Sequence, residues 1–265
     1  MQTIYKRATS YSIVNPKDVS NLMFLLDADN LNGFTLTGTG GDEVSQYIER
    51  SGNAYTGSQT TAANRPKRVL NALDGKAVIR FDGTNDTLSF GDILDLQSTS
   101  WTRIAIYKTT ALNGSFPSGP YSKGSSSNST GTWGIFYFSS TVMSYYLNVN
   151  GGTSESVALP ATALNNWYTM EDIINRSTLT AGVSVNKGAY QSNRSVGNSN
   201  FNTALPFMLG TGYLVSDSNP NPSVYWAGDL AYMAFYNKIL SATERKGIYN
   251  YLKRKYPSLN FSYEI

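Results

Sequence analysis

Short apolar runs, separated by polar turn-forming residues, recur along most of the chain. Runs of about four to eight apolar and β-branched residues, bounded by Gly, Asn, Asp or Ser, are typical of β-strands. They predict strands at about 22–26, 44–48, 78–81, 87–90, 101–107, 133–139, 142–149, 167–174, 181–186 and 205–209, and at 230–236 after a lead-in at 224–226. Two long loops, at about 109–132 and 210–223, separate some of these strands, and loops of that length are usually functional or disordered.

Two stretches carry more detailed patterns. Residues 101–107 alternate as a half-buried strand, with Trp101, Arg103, Ala105 and Tyr107 on one face and Thr102, Ile104 and Ile106 on the other. The runs at 78–81 and 87–90 flank Asp82-Gly83, which predicts a hairpin or a tight corner.

One helix is predicted, at about 242–256. Ser241 and Glu244 form a Ser-x-x-Glu capping box, Ile248 and Leu252 share an apolar face, and Pro257 ends the helix. The basic triplet 253–255 suits the negative end of the helix, or alternatively forms a contact surface.

Many short strands with one terminal helix predict an all-β sandwich. We divide the chain into an arm or linker at 1–20, a domain at 21–258 and a tail at 259–265.

The amino-acid composition excludes several classes of function. With a net charge of +3 and a single dense basic run, the chain does not resemble a nucleic-acid-binding protein. The absence of Cys excludes disulfides and thiolate chemistry, and the absence of His excludes Ser-His-Asp triads and His-ligated zinc. No apolar run approaches the ~18 residues of a membrane span, and no signal-peptide pattern follows Lys6 and Arg7.

Four segments, taken together in this order, resemble a known family. They are 22–29 (LMFLLDAD), 51–66 with its Ser-Gly-Asn and Gln-Thr-Thr-Ala-Ala-Asn-Arg-Pro blocks, 71–86 with Asn-Ala-Leu-Asp-Gly-Lys and Arg-Phe-Asp-Gly-Thr-Asn-Asp, and 228–245. The chain is similar in these segments to laminin-G-like domains of the concanavalin A-like lectin/glucanase superfamily, of the bacterial and phage type. Leu25, Tyr47 and Tyr232 depart from residues that are frequent in the family. The resemblance implies a two-sheet antiparallel jelly-roll sandwich, often used as a non-catalytic binding or adhesion module.

The same fold also occurs in glycanases, so a catalytic pair must be considered. Retaining glycosidases need two carboxyl groups about 5–5.5 Å apart. Glu171 and Asp172 are adjacent on a predicted strand, and adjacent side chains point to opposite faces of a sheet. They therefore cannot flank one glycosidic bond from that strand alone, and we expect no enzyme activity.

Acidic residues in two turns are candidate Ca²⁺ ligands. Asp27 and Asp29, and Asp82 and Asp86, offer hard oxygen ligands, and some proteins of the family bind Ca²⁺. Asp side chains also cap turns, and neither segment has an EF-hand pattern. We therefore expect no cofactor, with Ca²⁺ as the alternative.

Aromatic and amide side chains in the long loops are the candidate sugar-binding residues. Exposed aromatic rings stack on sugars, and neutral polar groups donate hydrogen bonds to them. The candidates are Tyr213, Asn219, Asn221, Tyr225 and Trp226 in one loop region, and Tyr121 and Trp133 in the other. The two tryptophans also suit a packing role.

An extracellular composition without a signal peptide is typical of a virion protein, which assembles in the cytoplasm and works outside the cell. We therefore expect a phage structural protein, in a head or tail fibre or a capsid decoration, that adheres to host glycans or neighbouring virion subunits. Segment 1–20 would then be a docking arm, and 259–265 could pair with a neighbour as a homo-oligomer. The alternatives are an exported lectin-like adhesin at the cell surface and a glycan-cleaving enzyme.

Overall fold

The fold is mostly β-structure with one α-helix among the described residues. The computed structural model describes residues 12–96, 99–112, 118–124, 132–139, 142–149, 153–158, 163–195, 202–212, 214–216, 219–220 and 224–262. The first nine strands are β1 (Leu22–Asp27), β2 (Phe34–Thr37), β3 (Glu43–Ile48), β4 (Thr56–Ser58), β5 (Lys67–Leu73), β6 (Lys76–Asp82), β7 (Leu88–Ser89), β8 (Trp101–Ala111) and β9 (Ser118–Lys123).

The remaining strands lead to the C-terminal helix. They are β10 (Thr132–Ser139), β11 (Val142–Val149), β12 (Thr153–Ala158), β13 (Tyr168–Asn175), β14 (Thr180–Val185), β15 (Gln191–Ser195), β16 (Phe207–Leu209), β17 (Leu214–Ser216), β18 (Asn219–Pro220) and β19 (Ala227–Tyr236). Helix α1 spans Ala242–Lys255, and short 3-10 turns lie at Pro16–Asp18 and Ala62–Asn64. No helix among these residues is long and apolar enough to cross a membrane.

Hydrogen bonds join 17 of the strands into one antiparallel sheet that curls around its own interior, and β17 and β18 form a separate pair. Strand β19 is central: it pairs with β8 along one edge, and with β1 and β6 along the other. From β8 the sheet continues to β13, β14 and β15. The strands link into one curled sheet, whereas the resemblance implied two separate ones.

A β-bulge in β19 changes which residues face each side of the sheet. Against β8, Leu230 pairs with Tyr107 and Tyr232 pairs with Ile106, so Ala231 is the extra residue. Leu230 faces the interior, Ala231 and Tyr232 both face the helix, and the alternation resumes with Met233 inward.

Two hydrophobic clusters result. The interior cluster lies inside the curl and contains Phe24, Leu26, Phe81, Trp101, Trp133, Phe207, Trp226 and Phe235, among others. The helix cluster lies between the outer face of the sheet and α1, and contains Ile104, Ile106, Tyr232, Ala234, Tyr236, Ile248, Tyr249 and Leu252, among others. Strand β8 contributes alternate residues to both clusters, which confirms its predicted alternation. It is buried on both faces rather than half-buried, because α1 covers the outer one.

Helix α1 begins as the sequence predicts. The Ser241 side chain accepts from the Glu244 backbone N–H at 3.2 Å, and the Glu244 carboxylate accepts from the Ser241 N–H at 2.9 Å. This capping box satisfies backbone donors that the helix itself leaves free. The box fixes where the helix begins over the outer face.

Two other strand expectations change in detail. Strand β7 pairs with β16 and β4, so the segment after Asp82 is a corner rather than a hairpin with β6. The expected loop at 109–132 contains β9, which is buried throughout. Its sequence, SGPYSK, has little apolar content, which is why the hydrophobic pattern does not mark it.

Both terminal segments contact α1 in their described parts. The Val14 backbone N–H donates to the Gly247 carbonyl at 3.1 Å, and a Cβ on Gly247 would clash with a methyl carbon of Val14. The Tyr236 hydroxyl donates to the Pro16 carbonyl at 3.1 Å. At the other end, the Phe261 ring meets the Tyr249 ring edge to face, at 5.2 Å.

Candidate functional site

Three aromatic residues predicted to bind sugar lie in the interior instead. Tyr121, Trp133 and Trp226 are each 0% exposed. Trp133 stacks on Phe207 at 5.5 Å, and the Trp226 indole donates to the Thr109 hydroxyl at 2.9 Å. These rings have no free face for a sugar, so the stacking role predicted for them is wrong for this conformation. They are packing residues.

The other predicted loop residues give little geometry. Tyr213 and Asn221 lie outside the described residues, and Asn219 belongs to β18, whose side chains are not described. Tyr225 is 8% exposed, and burial raises the pKa of its hydroxyl. A site in this loop stays a prediction.

The adjacent carboxylates of β13 point to opposite faces, as the alternation predicts. Asp172 lies in the interior, where it accepts from the Arg103 Nε at 2.6 Å and from the Tyr121 hydroxyl at 3.3 Å. The Arg103 guanidinium is itself enclosed by aromatic rings, with Trp133 at 4.8 Å. Burial raises the pKa of Asp172, although Arg103 opposes that shift.

Glu171 lies on the helix side. It accepts from Arg245 Nε at 2.6 Å, from the Tyr249 hydroxyl at 2.8 Å and from the Tyr190 hydroxyl at 2.5 Å. Three donors around one carboxylate compensate its buried charge. Both carboxylates of β13 are thus engaged in structural hydrogen bonds on separate faces, and they do not form a catalytic pair.

The four candidate Ca²⁺ ligands hold turns and ion pairs. Asp82 Oδ1 accepts from the Thr84 and Asn85 N–H groups, at 2.7 and 3.3 Å, which is an Asx-type turn. Asp86 accepts from the Asp82 N–H at 2.9 Å, and burial raises its pKa to about 7. Within the described residues, no three acidic side chains converge on a common point.

Asp27 and Asp29 instead lie in the walls of two adjoining cavities. Asp27 pairs with Lys255 at 2.5 Å and Asp29 with Lys76 at 3.5 Å. The smaller cavity, about 220 Å³, includes Asp27 in its wall, and the larger, about 370 Å³, includes Asp29, Lys76 and Lys255. Tyr251 of α1 lines both. We call these two cavities together the Tyr251 cleft.

The walls of the Tyr251 cleft come from distant parts of the chain. The smaller cavity is lined by Asn15, Pro16, Lys17, Leu25, Asp27, Asn30, Arg50, Tyr232 and Tyr251. The larger is lined by Ile13, Asp29, Lys76, Tyr251, Arg254 and Lys255. The cleft thus lies where the segment before β1, the end of β1 and the C-terminal half of α1 meet. Small-molecule sites commonly lie in such clefts between elements, and about 300–1,000 Å³ is their usual size.

The charges in the Tyr251 cleft do not balance. Lys76 and Lys255 are neutralised by Asp29 and Asp27. Lys17, Arg50 and Arg254 have no carboxylate partner in the part of the chain that the structure describes, although Arg50 donates to the Asn32 carbonyl at 3.0 Å. The cleft therefore carries an excess positive charge.

A buried hydroxyl in the wall of the smaller cavity has no partner among the described residues. Tyr232 is 1% exposed, and its hydroxyl makes no hydrogen bond to any described residue. A buried polar atom without a partner costs free energy, so such atoms are uncommon in folded proteins. Burial raises the pKa of Tyr232 well above its ordinary value, so the hydroxyl stays neutral and able to donate.

Sequence reasoning did not find the Tyr251 cleft. It is built from single residues that are far apart in the chain, such as Lys17, Arg50, Tyr232 and Tyr251. Two signals pointed toward it: the basic triplet 253–255 and the unusual Tyr232. Within the triplet, Lys253 donates to the Pro257 and Leu259 carbonyls and Lys255 pairs with Asp27, whereas Arg254 is exposed beside the larger cavity.

Comparisons with known proteins give a likeness in structure only. No family model matches the sequence, and no curated protein matches it. The binding domain of Paraclostridial Mosquitocidal Protein 1 is similar at a TM-score of 0.63 and 14% identity, over 89% of this chain and 53% of that one. Trypanosoma rangeli sialidase in complex with sialic acid is similar at a TM-score of 0.59 and 14% identity, over 94% and 36%.

These likenesses bear on the fold, which is of the all-β kind present in both proteins. The chain spans about half the length of the first neighbour and little more than a third of the sialidase. At 14% identity the match does not carry a site from either protein to this chain.

Proposed function

We propose that this chain is a non-catalytic carbohydrate-binding domain that binds its ligand in the Tyr251 cleft. The observation that carries the proposal is the cleft itself, which combines a partly exposed aromatic ring with cations that have no carboxylate partner, and a hydroxyl that has no hydrogen-bond partner, among the described residues. Sugar-binding sites need both, because a ring packs against the C–H face of a sugar while polar groups bond its hydroxyls.

The structural neighbours support a role in glycan recognition. One is named as a binding domain, and the other is a sialidase in complex with sialic acid. Both share the fold over about nine-tenths of this chain.

The absence of a catalytic pair in β13 favours binding over cleavage. Glu171 and Asp172 face opposite sides of the sheet, and each is enclosed by its own donors. In the Tyr251 cleft the two carboxylates are each paired with a lysine, which suits a structural role better than acid or base catalysis. Glycan cleavage is the second candidate function, carried only by the likeness to the sialidase.

We further propose that the curled sheet is a variant of the laminin-G-like jelly roll, and that the domain works on a phage particle. The resemblance of four sequence segments supports the first point. The neutral polar composition supports the second. The ligand would then be a host surface glycan, with neighbouring virion subunits as further partners. An exported bacterial adhesin would have the same cleft.

A glycan array of neutral and acidic oligosaccharides, probed with purified protein, tests the proposal. We expect saturable binding to at least one glycan class. The Tyr251→Ala variant should lose it, because the ring is shared by both cavities. Tyr168→Ala removes a partly exposed tyrosine that lines neither cavity, and it should bind normally.

Two outcomes would overturn the proposal. One is no saturable binding to any glycan. The other is an equal loss in both variants, which would mean that the Tyr251 ring has no specific role. Release of a shortened glycan from the array would instead favour the enzyme.

A further inference from the structure

We propose that the sugar bound in the Tyr251 cleft is acidic, and that its anionic group, a carboxylate or a phosphate, lies in the smaller cavity. This inference rests on the proposed function and names its ligand class. The charge of the cleft, the donors in its wall and the different character of the two cavities support it.

The cations of the Tyr251 cleft are of two kinds, those paired with a carboxylate and those without a carboxylate partner among the described residues. Two of the five basic residues that line the cleft are paired with its two carboxylates. The other three, Lys17, Arg50 and Arg254, have no carboxylate partner among the described residues. Cations that converge on a recess without a counter-charge raise the local concentration of anions there. A neutral sugar would carry no negative charge to pair with these cations.

The donors favour the smaller cavity as the place of the anion. Lys17 and Arg50 both line it, together with Asn15 and Asn30. The Tyr232 hydroxyl completes the set, since it is buried and neutral and has no partner in the described part of the chain. Hydrogen bonds from such groups to an ionised acceptor are about twice as strong as bonds to a neutral one.

The larger cavity suits the body of the sugar. Ile13 and the Tyr251 ring give it an apolar side, and Arg254 lies at its wall. Because Tyr251 lines both cavities, a sugar ring against it can place a substituent in the smaller cavity. The cleft can thus hold a charged group and an apolar ring face at the same time.

Isothermal titration calorimetry with three related sugars tests the inference. The probes are glucose, glucuronic acid and glucose 6-phosphate, as methyl glycosides, which separate the neutral sugar from the carboxylate and the phosphate. We expect at least one acidic probe to bind roughly tenfold or more tightly than the neutral one, which corresponds to about 1.4 kcal/mol. Raising the salt concentration should reduce this preference, because salt screens exposed charges.

Three variants connect the preference to named groups. Tyr232→Phe removes only the unpartnered hydroxyl, so it should keep or raise the thermal stability and lower affinity for the acidic probe roughly tenfold. Lys17→Gln should also lower that affinity, and its exposed side chain has no structural bond in the described residues. Lys67→Gln is the matched control, since this exposed lysine lines neither cavity and pairs with Asp42.

The outcomes distinguish this inference from the proposed function. Equal binding of neutral and acidic probes, lost in Tyr251→Ala, would overturn the acidic preference and keep the glycan-binding role. An acidic preference that Tyr232→Phe and Lys17→Gln leave unchanged would overturn the assignment of the anion to the smaller cavity. If no probe binds here and no glycan binds on the array, both proposals fail.

Discussion

The two faces of strand β13 bury neighbouring carboxylates in contrasting surroundings. Asp172, on the interior face, meets one arginine and one tyrosine hydroxyl inside a shell of aromatic rings. Glu171, on the helix face, meets one arginine and two tyrosine hydroxyls, and Arg245 is partly exposed. The residues that contact Asp172 are buried, whereas Arg245 beside Glu171 reaches solvent.

This contrast supports our proposal that a ligand binds on the helix face rather than in the interior. In the interior, aromatic residues that look like sugar platforms in the sequence fill space between strands. On the helix face, α1 covers the sheet only in part, and the Tyr251 cleft remains between the helix, β1 and the segment before it. The uncompensated charges also lie there.

The largest expected effect is the loss of the interior arginine. Arg103→Met leaves Asp172 buried without its cation, and removing one member of a buried ion pair typically costs about 3–5 kcal/mol. Urea unfolding should show this loss in the free energy of unfolding. The double variant Arg103→Met/Asp172→Leu should regain much of it, because no buried charge remains. Equal losses in the single and double variants would contradict this view of the interior.

Asp86 is a third buried carboxylate to compare, and it accepts a hydrogen bond from a backbone N–H, that of Asp82. Its pKa in the folded protein is about 7, above the ordinary value of about 3.9. The stability that protonated Asp86 contributes is thus fully present below about pH 4, and it is lost as the pH rises through 7. Each unit of pKa difference corresponds to about 1.4 kcal/mol.

Asp86→Asn should therefore be more stable than the wild type at pH 8, with the difference vanishing toward pH 4. The amide oxygen can still accept from the Asp82 N–H. Free energies of unfolding for both proteins between pH 4 and 8.5 measure the difference. Parallel curves across this range would show that Asp86 does not titrate as expected.

On the helix face, Glu171→Gln should cost about 1.5–3 kcal/mol. The amide keeps the shape of the side chain but loses the charge to which Arg245 and two tyrosines donate. Urea unfolding again gives the value, and Tyr190→Phe, which removes one donor, should cost about 1 kcal/mol. A Glu171→Gln loss as large as that of Arg103→Met would mean that the two faces do not differ.

The smallest expected effect concerns the start of α1. Ser241→Ala removes the side chain that accepts from the Glu244 N–H, at a cost of about 1 kcal/mol. Thermal unfolding should show a small decrease in Tm, while Ser241→Asp, which can also cap, should keep most of the stability. No decrease in Ser241→Ala would indicate that contacts along the helix cluster alone fix the helix.

Local patterns in the sequence predict much of the fold. The alternation at 101–107, the capping box at Ser241 and the opposite directions of Glu171 and Asp172 each depend on near neighbours, and the structure confirms them. Strand β9 could not be predicted from its local hydrophobic pattern, because neighbouring strands bury it. Its SGPYSK sequence does not carry the signal.

The candidate site could not be predicted from the sequence, for a different reason. Whether Trp133 is a platform or a packing residue depends on what covers it, and that is decided by strands distant in the chain. The Tyr251 cleft likewise joins Lys17, Arg50 and Tyr232 across more than two hundred residues of sequence. No spacing rule connects them.

The bulge at Ala231 has a consequence for how such a cleft can arise or vanish. With strict alternation along β19, Tyr232 would follow Leu230 into the interior, and its hydroxyl would leave the cleft. Deleting Ala231, the extra residue, should instead restore a regular strand in which Leu230 stays inward and Tyr232 stays on the helix side, so the hydroxyl should remain in the cleft. The site can thus arise either from the present strand with its bulge or from a strand one residue shorter without a bulge, and it vanishes when a strand of the present length loses the bulge.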